Sequence, residues 1–141
     1  MLNKRRNQKG NSSLSSNPTM EYMDLSNQNL QSIDAFTHQI LTNPCLKTIN
    51  LQHNSISRLF MNGPPPANQV AAHIEGIDLR DNQICDLLYT ISEEIIPMFP
   101  CLKDLKLNLY DEDHVDFIMK NMPQLEFLNG LPVEREDYEE D

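Results

Sequence analysis

Residues 46–59 read Leu46-Lys47-Thr48-Ile49-Asn50-Leu51-Gln52-His53-Asn54-Ser55-Ile56-Ser57-Arg58-Leu59, and residues 74–87 read Ile74-Glu75-Gly76-Ile77-Asp78-Leu79-Arg80-Asp81-Asn82-Gln83-Ile84-Cys85-Asp86-Leu87. Laid over each other, the two stretches share aliphatic residues at offsets 0, 3, 5, 10 and 13 and an asparagine at offset 8. A weaker copy precedes them, Met20-Met23-Leu25-Gln28-Leu30-Ile33, with glutamine at the asparagine position. A degenerate copy follows at Leu102-Leu105-Leu107, and a last one at Leu125-Leu128. The copies begin at 20, 46, 74, 102 and 125, so they are spaced by 26, 28, 28 and 23 residues. A period in the twenties marks an architecture of stacked units. One unit cannot cover its own apolar face, and its neighbours must do so.

Within each unit, apolar and polar residues first alternate. In Lys47-Thr48-Ile49-Asn50-Leu51 a period of two puts Ile49 and Leu51 on one face and Thr48 and Asn50 on the other. The same pattern recurs in Gly76-Ile77-Asp78-Leu79-Arg80 and Asp104-Leu105-Lys106-Leu107-Asn108. Each alternation predicts a short strand. Asn54 and Asn82 stand where the chain leaves the strand, and a buried carboxamide there can bond the backbone that the turn leaves unpaired. The fourth unit has Tyr110 where asparagine is expected, so its turn needs other support, such as the start of the next helix.

The segments between strands read as helices. Leu88, Ile91 and Ile95 are at helical spacing in 87–96, as are Val115, Ile118, Met119 and Met122 around 111–121. Asp111, Glu112 and Asp113 open the second segment and Lys120 closes it, matching the helix dipole. A shorter helix is expected over 35–43 with Phe36, Ile40 and Leu41. Proline stands two residues before the first strand leucine in Pro44-Cys45-Leu46, Pro100-Cys101-Leu102 and Pro123-Gln124-Leu125. Proline stops a helix and biases its predecessor to extended geometry, so it marks the same register independently of the leucines. Residues 61–73, with Pro64, Pro65 and Pro66, predict a loop and then one or two helical turns.

The 141 residues suit one small domain, and the net charge of -10 is unevenly spread. Residues 1–19 carry four positive charges and no acid, which leaves -14 for the rest. Such acidity disfavours direct nucleic-acid binding and fits a basic protein partner. Residues 1–19 are expected to form a disordered basic, Ser-rich tail, in which Lys4-Arg5-Arg6 could serve as a nuclear import signal. Residues 137–141 form an acidic tail, and six acids fall in 134–141. No apolar run approaches the 18 residues or so of a membrane span, and no secretory signal is legible. Cys45, Cys85 and Cys101 are odd in number and not closely spaced. They are expected to be reduced thiols, small and buried, in an intracellular protein that is cytoplasmic, with the nucleus as the alternative.

The stretch Met122-Pro123-Gln124-Leu125-Glu126-Phe127-Leu128-Asn129-Gly130, followed by Val133-Glu134-Arg135-Glu136, resembles the C-terminal cap of one leucine-rich repeat subgroup. That subgroup includes the protein-phosphatase-one regulatory subunit, the acidic leucine-rich nuclear phosphoproteins, the spliceosomal A-prime protein and an axonemal dynein light chain. The resemblance covers about residues 20–136. It implies an α/β fold: a short right-handed leucine-rich repeat solenoid with a parallel β-sheet on the concave face and helices and loops on the convex face. Its relatives bind unrelated partners. A solenoid needs a cover at each end. Residues 1–19 offer no apolar helix to cover Met20, Met23 and Leu25. The first repeat is then a self-sufficient edge, or is covered by a partner, or follows a missing upstream portion.

Catalytic and metal-binding patterns are absent from the sequence. No Cys-x-x-Cys or His-x-x-x-His pair occurs, and His38, His53 and His73 fall in different units. The acidic run Asp111-Glu112-Asp113-His114-Val115-Asp116 has Asp116 and Met122 where a calcium loop needs glycine and glutamate. Four glycines in the whole chain leave no phosphate loop. No enzymatic activity, metal or cofactor is expected. The strand alternation instead offers a polar face: Tyr22, Asp24 and Ser26; Thr48, Asn50 and Gln52; Gly76, Asp78 and Arg80; Asp104, Lys106 and Asn108; then Phe127 and Asn129. The expected contacts for a protein partner are Tyr22, Asp24, Asn50, Gln52, Asp78, Arg80, Lys106, Asn108 and Phe127. Tyr22, Arg80 and Phe127 are favoured, because aromatic residues and arginine carry much of the energy in interfaces. The expected function is a monomeric, non-catalytic protein-interaction module. The alternatives are an acidic nuclear factor associated with histones or ribonucleoproteins, and a cytoskeletal or axonemal light-chain adaptor.

Overall fold

The computed structural model of the chain describes residues 20–63 and 65–135. The expected N-terminal and C-terminal tails lie outside the described residues, as do Lys4-Arg5-Arg6 and Pro64. Every alternating stretch forms a strand: β1 (Tyr22–Asp24), β2 (Thr48–Asn50), β3 (Gly76–Asp78), β4 (Asp104–Lys106) and β5 (Phe127–Leu128), with β6 (Leu131–Pro132) added after it. They make one α/β fold whose six-stranded sheet runs in chain order, parallel from β1 to β5 and antiparallel between β5 and β6.

The register places equivalent residues side by side. Met23, Ile49, Ile77, Leu105 and Leu128 form one row. The first four of these are buried, together with Leu25, Leu51, Leu79 and Leu107 just past each strand. Against them pack Ile33, Ile40, Leu59, Phe60, Ile91, Ile95, Phe99, Ile118 and Met122 from the return segments. The neighbouring rows, Tyr22-Thr48-Gly76-Asp104-Phe127 and Asp24-Asn50-Asp78-Lys106, face away from this core.

Proline marks the re-entry turns as expected. Leu46 N donates to Asn43 O (3.1 Å), Leu102 N to Phe99 O (3.3 Å) and Leu125 N to Met122 O (3.1 Å). Each closes a four-residue turn with proline second, the position its fixed φ suits. Ile74 N makes the same bond to Ala71 O (3.3 Å) without a proline.

The return segments are α1 (Thr37–Thr42) after a 3₁₀ turn at Asp34–Phe36; then α2 (Leu87–Tyr89), a π-helical stretch Thr90–Ile95 and α3 (Ile96–Met98) in continuous succession; and α4 (Glu112–Asn121). Asp111 caps α4 by accepting from Asp113 N (2.9 Å), and Lys120 lies in its last turn.

Three expectations are corrected. Leu88 is exposed, because the inward stripe runs through Leu87, Ile91 and Ile95 at a spacing of four. Among the described part of 61–73 no helix forms: the chain crosses in turns, and Ala71 N donates to Met98 O (2.8 Å). The three cysteines are free but exposed rather than buried. Cys45 and Cys101 occupy the third position of the proline turns, whose tips point away from the core. Among the described residues no helix is long and apolar enough to cross a membrane.

Candidate interaction surface

The outward face is held still by bonds within and between units. Asp24, Asn50 and Asp78 each accept from the backbone N–H two residues on, at Ser26 (3.0 Å), Gln52 (3.0 Å) and Arg80 (3.1 Å). This side-chain turn ends each strand by occupying its next donor. The residue after it, Asn27, His53 or Asp81, takes a positive φ of 58–61°. These residues follow at the repeat spacing, and Asn and Asp tolerate that region better than most. His53 Nδ1 lies 3.2 Å from Asp81 Oδ2, linking two successive turns.

On this frame Arg80 is clamped onto Asp78, with Nε to Oδ1 at 3.0 Å and Nη2 to Oδ2 at 2.7 Å. The bidentate bond to Asp78 raises the Arg80 pKa, against a small cost of burial and helped by the fields of Asp81 and Asp104. Asp78 is the less exposed partner, 15% against 42% for the Arg80 side chain, so Asp78 positions and Arg80 presents. Asn50 Nδ2 donates to the Tyr22 hydroxyl (3.1 Å), and Lys106 Nζ lies 3.8 Å from Asp104 Oδ2.

Gly76 shapes the middle of the face. A Cβ there would lie 2.8 Å from Thr48 Cγ2, so any larger residue would have to push the Thr48 side chain aside. Above it is a depression of about 290 Å³, bordered by Tyr22, Asn50, Gln52, Asp78, Asp104 and Lys106. Tyr22 (53% exposed) stands at one end of the same row and Phe127 (41%) at the other. At about 4.8 Å per strand, four strand steps separate them by about 19 Å. The expected contact residues are therefore brought onto one face, except that Asn108 is drawn toward the turns, where its Oδ1 accepts from Asp81 N (2.6 Å).

Beneath the turns, Asn54 and Asn82 do what their position requires. Asn54 Oδ1 accepts from Gln28 N (2.9 Å) and Leu30 N (3.0 Å), and its Nδ2 faces Leu25 O, Leu51 O and Gln52 O at 2.9–3.2 Å. Asn82 Oδ1 accepts from Ile56 N (2.9 Å), and its Nδ2 donates to Leu51 O (2.8 Å) and Leu79 O (3.0 Å). The carboxamides tie each turn to the preceding unit rather than only to their own.

Several contacts that matter went unread in the sequence. Glu94 is fully buried and accepts from Leu59 N (2.9 Å) and Phe60 N (3.2 Å), anchoring the chain where it enters the helix-free crossing. Desolvation raises its pKa, opposed by those two bonds and by Arg58, and aided by Asp34. Asn129 and Gly130 both have positive φ and close the two-residue hairpin of β5 and β6, a turn their dipeptide could have signalled. Arg135 donates to Met119 O (2.7 Å) in the last turn of α4 and to Met122 O (2.8 Å) and Leu125 O (3.3 Å) just past it. The residues just before each strand, Glu21, Lys47, Glu75, Lys103 and Glu126, alternate in charge. Lys47 and Glu75 lie 3.8 Å apart, so this rim largely neutralises itself.

Among the described residues no group of three His, Cys, Asp or Glu side chains is placed to hold a metal ion. Compared with known proteins, the chain matches no family model and no curated sequence.

Proposed function

We propose that the chain is a non-catalytic protein-interaction module: a right-handed leucine-rich repeat solenoid with a C-terminal cap, binding one protein partner through the concave side of its sheet. The repeat period, the parallel strands in chain order and the cap resemblance support the architecture. The observation that carries the functional reading is the fixed outward face. Its charged and polar side chains are already tied in place, and Tyr22 and Phe127 flank them. A face ordered before binding loses little side-chain entropy on contact. The acid excess beyond residue 19 favours a basic segment on the partner, in the cytoplasm or the nucleus.

Photo-crosslinking tests this reading. A photoreactive residue placed at Gln52 or Lys106 should capture a discrete partner in native cells, and one placed at Glu93 on the return helix should not. Capture from Glu93 alone, or equally from all three positions, overturns the assignment.

A further inference from the structure

The turn that should carry a third asparagine carries Tyr110, and the residues whose backbone it would have held line a groove. Positions 54, 82 and 110 are 28 residues apart. By the register, a carboxamide at 110 would accept from Ile84 N, the counterpart of Leu30 N and Ile56 N. It would donate to Leu79 O and Leu107 O, the counterparts of the carbonyls that Asn54 and Asn82 bond. The Tyr110 side chain is 86% exposed and does not take this place. Ile84 N has no acceptor among the described residues. Leu51 O accepts from both Asn54 Nδ2 and Asn82 Nδ2, whereas Leu79 O accepts from Asn82 Nδ2 alone. A carbonyl oxygen has two lone pairs, so Leu79 O keeps one to offer.

Leu79, Ile84 and Leu107 all line a groove of about 320 Å³, bordered by Leu88 and Tyr110, both exposed apolar side chains. His114 also lines it, and its Nδ1 is buried without a partner. We propose that this groove is a binding site for an asparagine or glutamine side chain of a partner polypeptide, with an adjacent apolar residue covering Leu88 and Tyr110. The site offers one backbone donor and carbonyl acceptors together. A carboxylate has no donor, and Asp86 in the wall repels it. An ammonium or guanidinium has no acceptor for Ile84 N. A carboxamide supplies both, and the same chain already seats two of them on equivalent groups. The groove lies off the outward sheet face, so it is a second site, and its failure leaves the proposed function standing.

The test is an NMR titration of the ¹⁵N-labelled full chain with three capped tripeptides: leucine-asparagine-leucine, leucine-aspartate-leucine and leucine-leucine-leucine. The asparagine peptide should move the Ile84 amide resonance and bind about ten-fold more tightly than the other two, the worth of one or two hydrogen bonds. Tyr110→Asn should fill the seat from within and abolish the response, while Tyr110→Ser leaves the seat open and keeps the Ile84 response, weakened by the loss of the ring. Equal affinity for the all-leucine peptide overturns the proposal, as does an unmoved Ile84 amide. So does undiminished binding by Tyr110→Asn, or loss in both variants, which would place the binding on the tyrosine ring. If Tyr110→Asn does not fold, the peptide series on the unaltered chain decides alone.

Discussion

The turns after β1, β2 and β3 and the turn after β4 solve one problem in two ways. In the first group a side-chain turn stops the strand and a residue with positive φ redirects the chain, and after β1 and β2 a carboxamide from the next unit also satisfies the backbone. After β4 the pattern ends. The third carboxamide is missing, and no left-handed residue stands at Leu109. Asparagines from other positions substitute: Asn108 Oδ1 takes the Asp81 N–H, and Asn129 Oδ1 takes the Leu107 N–H at 2.8 Å. Asp111 then starts α4, and Arg135 secures its end. A repeat can be continued only while another unit follows. Its last member must meet the same backbone groups with side chains of its own, and where it does not, a groove is left.

That contrast can be broken by substitution. The largest effect is expected at Asn54→Ala, which strands buried donors and acceptors of two units and should cost about 4 kcal/mol. Asn82→Ala should cost about half as much, since its carboxamide is less buried, and Tyr110→Ala nearly nothing. Chemical denaturation of the three variants checks the order, and a large loss at Tyr110 would erase the distinction. Leu79→Ala should cost about 3 kcal/mol by opening a cavity under the sheet. An unchanged melting temperature would contradict the inward register.

Glu94 gives the next effect, at the helix-free crossing. Its native pKa is raised above the ordinary 4.5. The native state therefore holds this proton more tightly than the unfolded chain. The resulting stability is fully present below 4.5 and is lost as pH rises through the native value. Glu94→Gln cannot titrate, so the stability advantage of the unaltered chain over this variant should shrink as pH rises above 4.5 in thermal melts. An advantage that grows as pH rises would reverse the sign. A smaller effect belongs to the C-terminal segment that Arg135 ties to α4. Arg135→Met should cost about 1 kcal/mol, and hydrogen exchange should rise first at the end of α4.

Much of the sheet was legible because strand alternation and an asparagine at fixed offset are local patterns repeated in register. Each copy confirms its neighbour. The proline turns were legible for the same reason, since proline acts on its own dihedral and on that of the residue before it. The outward row from Tyr22 to Phe127 follows from period two alone. The depression within that row does not, because it depends on which side chains of the neighbouring strands stand around Gly76. Cys45 and Cys101 were misread because residue preference was weighed above turn position: the tip of a turn points outward whatever it carries.

By itself, then, the sequence determined the period, the strands, their inward and outward residues and the re-entry turns, because these depend on residues within one unit. Only the tertiary structure decided what joins units across 26 to 35 residues of chain: Asn54 beneath the first turn, Asn82 beneath the second, and Glu94 beneath the Leu59–Phe60 backbone. A buried carboxylate on a helix reads locally as a solvated acid. Its role appears only when the backbone donors it must meet have been brought to it.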